Sequence, residues 1–182
     1  MTVPYAEAAA ALRAARTVTI TTHINPDGDG VGAGLALLIA LEGLGKQVRF
    51  LCPSAVASLY AFLPRFAAIR TLDDAAAAAA EPACEVMVSC DAGDKERLGA
   101  VWAAPRGLLV NLDHHATNTR FGGCNLVDEA AESSGVVVAR LLAELGVALT
   151  AELATCLYTT IVFDTGRFRR ASGMRATIFC TY

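Results

Sequence analysis

Short β-branched runs alternate with longer helix-forming segments along this chain, and that alternation restricts its fold more than any other feature. "TVTITTH" (17–23), "KQVRFLC" (46–52), "CEVMVSCDAG" (84–93) and "GLLVNLDHH" (107–115) read as strands, because β-branched and aromatic side chains suit a pleated, buried surface. Helical candidates lie between and around them at 4–15, 30–45, 94–102, 133–145 and 150–164. Residues 54–80 read as short helices, including the alanine run 73–80, a helix former rather than a functional repeat. Residues 123–129 read as a further strand. Strands and helices taken in turn predict an α/β fold, a mostly parallel sheet with helices on both faces.

The 182 residues are 54% hydrophobic and 18% charged, enough for one domain over 1–182 with a sizeable core. No linker or internal repeat divides them. The formal net charge of −3 gives no chain-wide basic field of the kind nucleic acid attracts. Arg167, Arg169, Arg170 and Arg175 form a local basic cluster that reads as a solvated tail, with nucleic-acid phosphate as the sharper alternative. None of the six cysteines makes a C-x-x-C pair, so zinc-ribbon and thioredoxin chemistry are excluded and core thiols are expected. No apolar run spans a bilayer and no signal core opens the chain. A cytoplasmic protein with reduced thiols and no membrane partner is the expectation.

Parallel sheets bind ligands beyond the carboxyl ends of their strands. All three histidines, His23, His114 and His115, follow apolar strands, together with Asp27, Asp29, Asp91 and Asp113; Asp164 ends an apolar helical segment. Imidazole and carboxylate in one site suit Mn2+, Fe2+, Zn2+ or Co2+, whereas calcium takes oxygen alone. Two histidines and four carboxylates exceed one tetrahedral ion. Two ions sharing a bridging carboxylate would use them all, and pairs roughly 3.5–4 Å apart suit phosphoester hydrolysis. Each residue also has a plainer reading. Asp27-Gly28-Asp29 could be a solvated turn. Asp94 is the better helix cap than Asp91, and Ser133-Ser134 reads as an N-cap, with a phosphate contact as the alternative. Arg97 reads as a solvated helix residue or a phosphate contact. Cys90 and Cys124 are placed near the ions without replacing a ligand.

"HINPDGDGVG", "SCDAGD", "NLDHH" and "FDTGRF", in this order, resemble the four motifs of the DHH family of phosphoesterases over roughly residues 17–170. The family includes oligoribonuclease/phosphoadenosine-phosphate phosphatases, single-strand 5′ exonucleases, cyclic-dinucleotide phosphodiesterases and family II pyrophosphatases. The resemblance implies a Rossmann-like catalytic domain holding two divalent metal ions, Mn2+ foremost. His23 and Asp27 would hold the first ion, Asp29, His114 and Asp164 the second, with Asp91 between them. His115 would bind or polarise the scissile phosphate as a catalytic group, and Asp113 would fix a histidine tautomer. The helix beginning near Gly30 would aim free N–H groups at phosphate, and Arg97 is a further substrate contact.

The implied substrates are short RNA or DNA oligonucleotides, or nucleotide phosphates such as 3′-phosphoadenosine 5′-phosphate. Cyclic-dinucleotide phosphodiesterase, pyrophosphatase and a metal-binding module with little turnover are the alternatives. The resemblance covers the catalytic half, and no counterpart of the family's C-terminal substrate-binding domain is expected within 1–182. Apolar surface left by that half would favour a homo-oligomer.

Overall fold

The strand β1 (Thr17–Thr21) lies at the middle of the sheet, parallel to β2 (Gln47–Cys52) on one side and to β4 (Cys84–Cys90) on the other. In this computed structural model, which describes residues 3–169, six strands form one parallel sheet in the order β3-β2-β1-β4-β5-β6. The remaining strands are β3 (Ile69–Thr71), β5 (Arg106–Asp113) and β6 (Cys124–Val127). Connections from β1 run outward to β2 and β3, then return across the sheet to β4. The crevice beyond the carboxyl ends of β1 and β4 is therefore the topological switch point, where sheets of this kind bind ligands.

Among the described residues five α-helices cover the sheet: α1 (Tyr5–Ala14), α2 (Gly28–Gly43), α3 (Ala75–Ala79), α4 (Ser134–Leu145) and α5 (Ala151–Asp164). On one face α2 packs against α4 and α5, and α1 packs against α4. On the other, α3 packs against a 3-10 segment, Glu96–Ala103. Side chains along β4 divide accordingly. Val86 and Val88 join the core under the four helices, while Met87 joins the smaller core with Leu51, Val101 and Leu109, as the two-residue strand period requires. The predicted α/β sheet with helices on both faces is the observed one.

The helix α2 is apolar on every side and buried almost throughout, because it is sandwiched between the sheet and α5. Gly32 permits that approach: a Cβ there would lie 2.7 Å from both the Cys156 carbonyl oxygen and Thr160 Cγ2 on α5.

Two expectations are corrected. Residues 54–80 are not a run of helices alone. Ser58–Tyr60 and Phe66–Ala68 are 3-10 turns, and Ile69–Thr71 joins the outer edge of β2 through the pair Phe50↔Ile69. Three residues carry too little periodicity to announce a strand; the neighbour's open edge makes one. The helix expected over 94–102 is the 3-10 segment, interrupted at Gly99, whose φ of 50° is left-handed. No helix among the described residues is long and apolar enough to cross a membrane. Arg170 and Arg175 lie outside the described residues.

Candidate metal centre

His23 follows β1 by two residues and is 3% exposed. Its Nδ1 donates to the Ile24 carbonyl at 2.8 Å. A carbonyl only accepts, so in the neutral ring Nε2 keeps the lone pair. Nε2 lies 3.6 Å from Asp27 Oδ2 and 3.4 Å from Asp91 Oδ2. Burial opposes charging this ring, but Asp27 and Asp91 outweigh burial and push its pKa up to about 10. Three ligand atoms thus converge on one point, the place a cation would take.

Asp27 is the N-cap of α2. Its side chain accepts the Asp29 N–H at 3.0 Å and the Gly30 N–H at 3.2 Å through Oδ1, leaving Oδ2 toward His23. Burial raises its pKa, yet the bonds from His23 and the two amides hold it below the usual carboxylate value.

Asp91 occupies the residue after β4 with φ at 57°, in the left-handed region that non-glycine residues rarely adopt. The turn places its carboxylate between two groups of ligands. Oδ2 faces His23, while Oδ1 lies 3.9 Å from His114 Nε2 and 3.5 Å from His115 Nδ1.

His114 repeats the arrangement of His23. Nδ1 meets the Ala131 carbonyl at 3.3 Å, again leaving the Nε2 lone pair in the neutral ring. Nε2 is buried without a hydrogen-bond partner, 3.6 Å from Asp29 Oδ2 and 3.4 Å from Asp164 Oδ2. An orphaned buried nitrogen costs about 1–3 kcal/mol unless something satisfies it, and a cation among these carboxylates would. Asp29 is 1% exposed. Burial pushes its pKa well up and Asp91 and Asp164 add to this, against the opposing N–H groups of Ser134 and Gly135. Burial likewise raises the pKa of Asp164. Mutually repelling, desolvated carboxylates of this kind are stabilised by positive charge.

The ligand atoms therefore fall into groups within 4.8 Å: His23, Asp27 and Asp91 in one; Asp29, His114 and Asp164 in another; Asp91, Asp113, His114 and His115 in a third. Two nitrogens with their lone pairs set by carbonyls, and four carboxylates, form a donor set that fits divalent transition ions.

Asp113 closes β5 and is fully buried. Its Oδ1 accepts the His114 N–H at 2.8 Å, the His115 N–H at 3.3 Å and His115 Nδ1 at 2.8 Å; Oδ2 accepts from Asn118 at 2.6 Å. Burial alone would raise the Asp113 pKa, but His115 and Asn118 hold it low. The bond to Asp113 raises the pKa of His115 in turn, against burial. His115 is half-exposed and faces a cavity of about 230 Å³ that Arg97, Asp91 and Thr117 also line.

Residues 17–161 match the DHH family, N-terminal domain. The chain belongs to the DHH family. The bifunctional oligoribonuclease and PAP phosphatase NrnA of Thermus thermophilus is 34% identical over 157 residues, covering 85% of this chain and 45% of that protein. An uncharacterized Mycoplasma pneumoniae protein is 31% identical over 72 residues, 40% of this chain and 22% of that one. The crystal structure of an exopolyphosphatase-related protein from Bacteroides fragilis shares the fold, with a TM-score of 0.84 at 23% identity, over 94% of this chain and 53% of its own. This DHH chain spans about half the length of the Thermus and Bacteroides proteins.

All six residues read as ligands in the DHH motifs meet at this one crevice, although four separate segments carry them. The helix-end reading is corrected: α2 starts at Gly28, and its first amides face the Tyr60 hydroxyl and the Asp27 carboxylate. Asp27 fills the anion position itself. Cys124 is also corrected. It opens β6 beside Glu7, at the end of the strand away from Val127 and Asp113. Cys90 does lie among Asp91, Asp29 and Asp113; burial, then those charges, push its thiol pKa up and keep it protonated. Asp94 caps the following turn through the Arg97 N–H at 3.0 Å, and Ser133 caps α4 through the Val136 N–H at 3.3 Å. Arg97 itself is exposed. Asn118 and Tyr60 carry no signal in the sequence; their roles arise from distant contacts.

Proposed function

We propose that this domain is a two-metal phosphoesterase acting on short oligonucleotides or nucleotide phosphates such as 3′-phosphoadenosine 5′-phosphate. The carrying observation is the Asp91 carboxylate, with one oxygen toward His23 and the other toward His114. On this reading His23 and Asp27 would hold one cation, Asp29, His114 and Asp164 would hold the other, and Asp91 would contribute to both. Two divalent ions, Mn2+ as first candidate, would generate the nucleophile and offset charge on the phosphate.

The chain's own groups do the rest. Asp113 fixes the His115 ring so that its Nε2 points away from the carboxylate and toward substrate. A protonated His115 donates to a phosphoryl oxygen, where charge develops. Arg97, across the same cavity, binds a phosphate. The name of the Thermus relative supports the nucleotide substrates, and the five described cysteines, free and buried, support a reducing, cytoplasmic setting. Self-association has its own support: Leu59, Phe62, Tyr158 and Phe163 are all exposed and line one groove. Sedimentation velocity reads that part directly.

The deciding experiment compares wild type with Asp91→Ala in Mn2+-dependent hydrolysis of bis-p-nitrophenyl phosphate, a dinucleotide and pyrophosphate. Loss of diester hydrolysis in the variant supports the mechanism; unchanged hydrolysis removes it. Turnover of pyrophosphate alone would make the domain a pyrophosphatase. Bound metal without any turnover would make it a metal-binding module.

A further inference from the structure

We propose that the first turn of α4, with Ser134 at its centre, is a positioning element dedicated to the second cation site; this rests on the two-metal reading above. Ser134 is fully buried. Its N–H donates to Asp29 Oδ2 at 2.7 Å, and the next amide, Gly135 N–H, donates to Asp29 Oδ1 at 3.1 Å. Its hydroxyl donates to Asp91 Oδ1 at 3.1 Å. Three residues earlier, the Ala131 carbonyl takes His114 Nδ1 at 3.3 Å.

The fourth ligand is held less directly. Thr160 Oγ1 donates to the Leu157 carbonyl at 2.7 Å, so the Ser133 hydroxyl is the donor in its 3.0 Å bond to Thr160. Thr160 stands one turn before Asp164 on α5. A Cβ on Gly135 would collide with the Thr160 hydroxyl, so the glycine lets α4 and α5 approach at this level. Ala131, Ser133, Ser134 and Gly135 thus orient Asp29, Asp91 and His114 by direct bonds and Asp164 through its helix.

His23 and Asp27 receive none of this support. The Ile24 carbonyl and the first amides of α2 orient them. The two sites therefore have separate scaffolds and share only Asp91. Ser134 engages Oδ1, the oxygen facing His114, and leaves Oδ2 to His23. Its hydroxyl decides how the carboxylate divides its oxygens, and its removal frees the oxygen that the second site uses.

The test is Mn2+ titration of the full chain by calorimetry, with electron paramagnetic resonance at one and two equivalents. Ser134→Ala is the variant, and Ser134→Gly repeats it with a different backbone preference. Thr150→Ala is the control, because Thr150 caps α5 through the Leu153 N–H and touches no ligand. Wild type should bind two ions and show the spin-coupled pair. Both Ser134 variants should keep one ion at wild-type affinity and bind the other about 10–100-fold less well, as for other residues that support metal ligands. Thr150→Ala should bind both ions as wild type does. Equal weakening of both ions in the Ser134 variants, or two-ion binding like wild type, would overturn the positioning role. A wild type that binds one ion overturns the two-metal reading itself.

Discussion

Asp113 Oδ1 accepts the Nδ1–H of His115 at 2.8 Å, and this bond decides which ring nitrogen His115 presents to the cavity. Asp113 is held by a buried relay: Ser89 donates to Asn111, Asn111 to Asn118, and Asn118 to Asp113 Oδ2. Each side-chain amide in the relay is thereby oriented, and the carboxylate has no freedom to turn.

Asp113→Asn should lower kcat by about 10–100-fold, the usual effect of losing a residue that orients an active-site histidine. An asparagine has one acceptor oxygen where Asp113 uses two, so at least one buried donor loses its partner, at about 1–3 kcal/mol. Steady-state kinetics with thermal denaturation separate the two effects. A full-rate variant would remove Asp113 from the mechanism.

Arg97 faces the cavity from an exposed position and its backbone carbonyl, not its guanidinium, holds the Ile24 N–H at 2.7 Å. Arg97→Gln should raise KM about 10-fold at nearly unchanged kcat, the pattern of a lost ground-state phosphate contact. Stability should move by no more than about 0.5 kcal/mol, as for exposed positions generally.

Gly32→Ala tests how α5 is seated. The added Cβ would press on the Cys156 carbonyl and on Thr160, both at 2.7 Å. Overpacking of this kind costs about 1–3 kcal/mol. Because α5 carries Asp164, the variant should also bind less Mn2+ at equilibrium, which metal analysis after desalting reads.

Glu81 gives a pH dependence remote from the metal centre. Its carboxylate pairs with Arg70 at 2.7 Å and Arg49 at 3.2 Å, and the Arg70 bond foremost lowers its pKa from 4.5. A lowered folded-state pKa stabilises above the unfolded value and ceases to do so as pH falls through the folded value. Glu81→Gln should therefore unfold more easily than wild type at neutral pH, by about 0.5–1 kcal/mol after solvent screening. The difference should close as pH falls below 4.5. Melting curves across that range check both the sign and the window.

The strands β1, β2, β4 and β5 are legible because each is several β-branched or apolar residues long and lies buried between two neighbours. The helix α5 is equally legible despite its threonines, since its apolar positions continue over several turns. The edge strand β3 is not, because three residues become a strand only when β2 offers them hydrogen bonds. The metal-centre residues stand out because histidine occurs only three times and each falls after an apolar run. Ser133-Ser134 is legible as a helix cap, but that Ser134 bonds to Asp29 and Asp91 is not, and nothing local distinguishes Asn118 from a solvent-facing polar residue. The helix cap at Asp27 shows the opposite error. Local reading put free amides near Gly30, while the side chain one turn earlier consumes them.

The sequence by itself determined the inventory: which residues carry imidazole or carboxylate, which runs become strands, and that each cluster follows a strand end. These are local properties, set by side-chain chemistry and by periodicities of two and 3.6 residues. Only the tertiary structure decided how the inventory is divided. The α4 amide of Ser134 meets Asp29 across 105 positions, and its hydroxyl meets Asp91 across 43. Those bonds form because the sheet order brings the ends of β1, β4 and β5 side by side and lays α4 over them. Contacts of that sequence separation come from the whole fold, and they fix which oxygen of Asp91 faces which histidine.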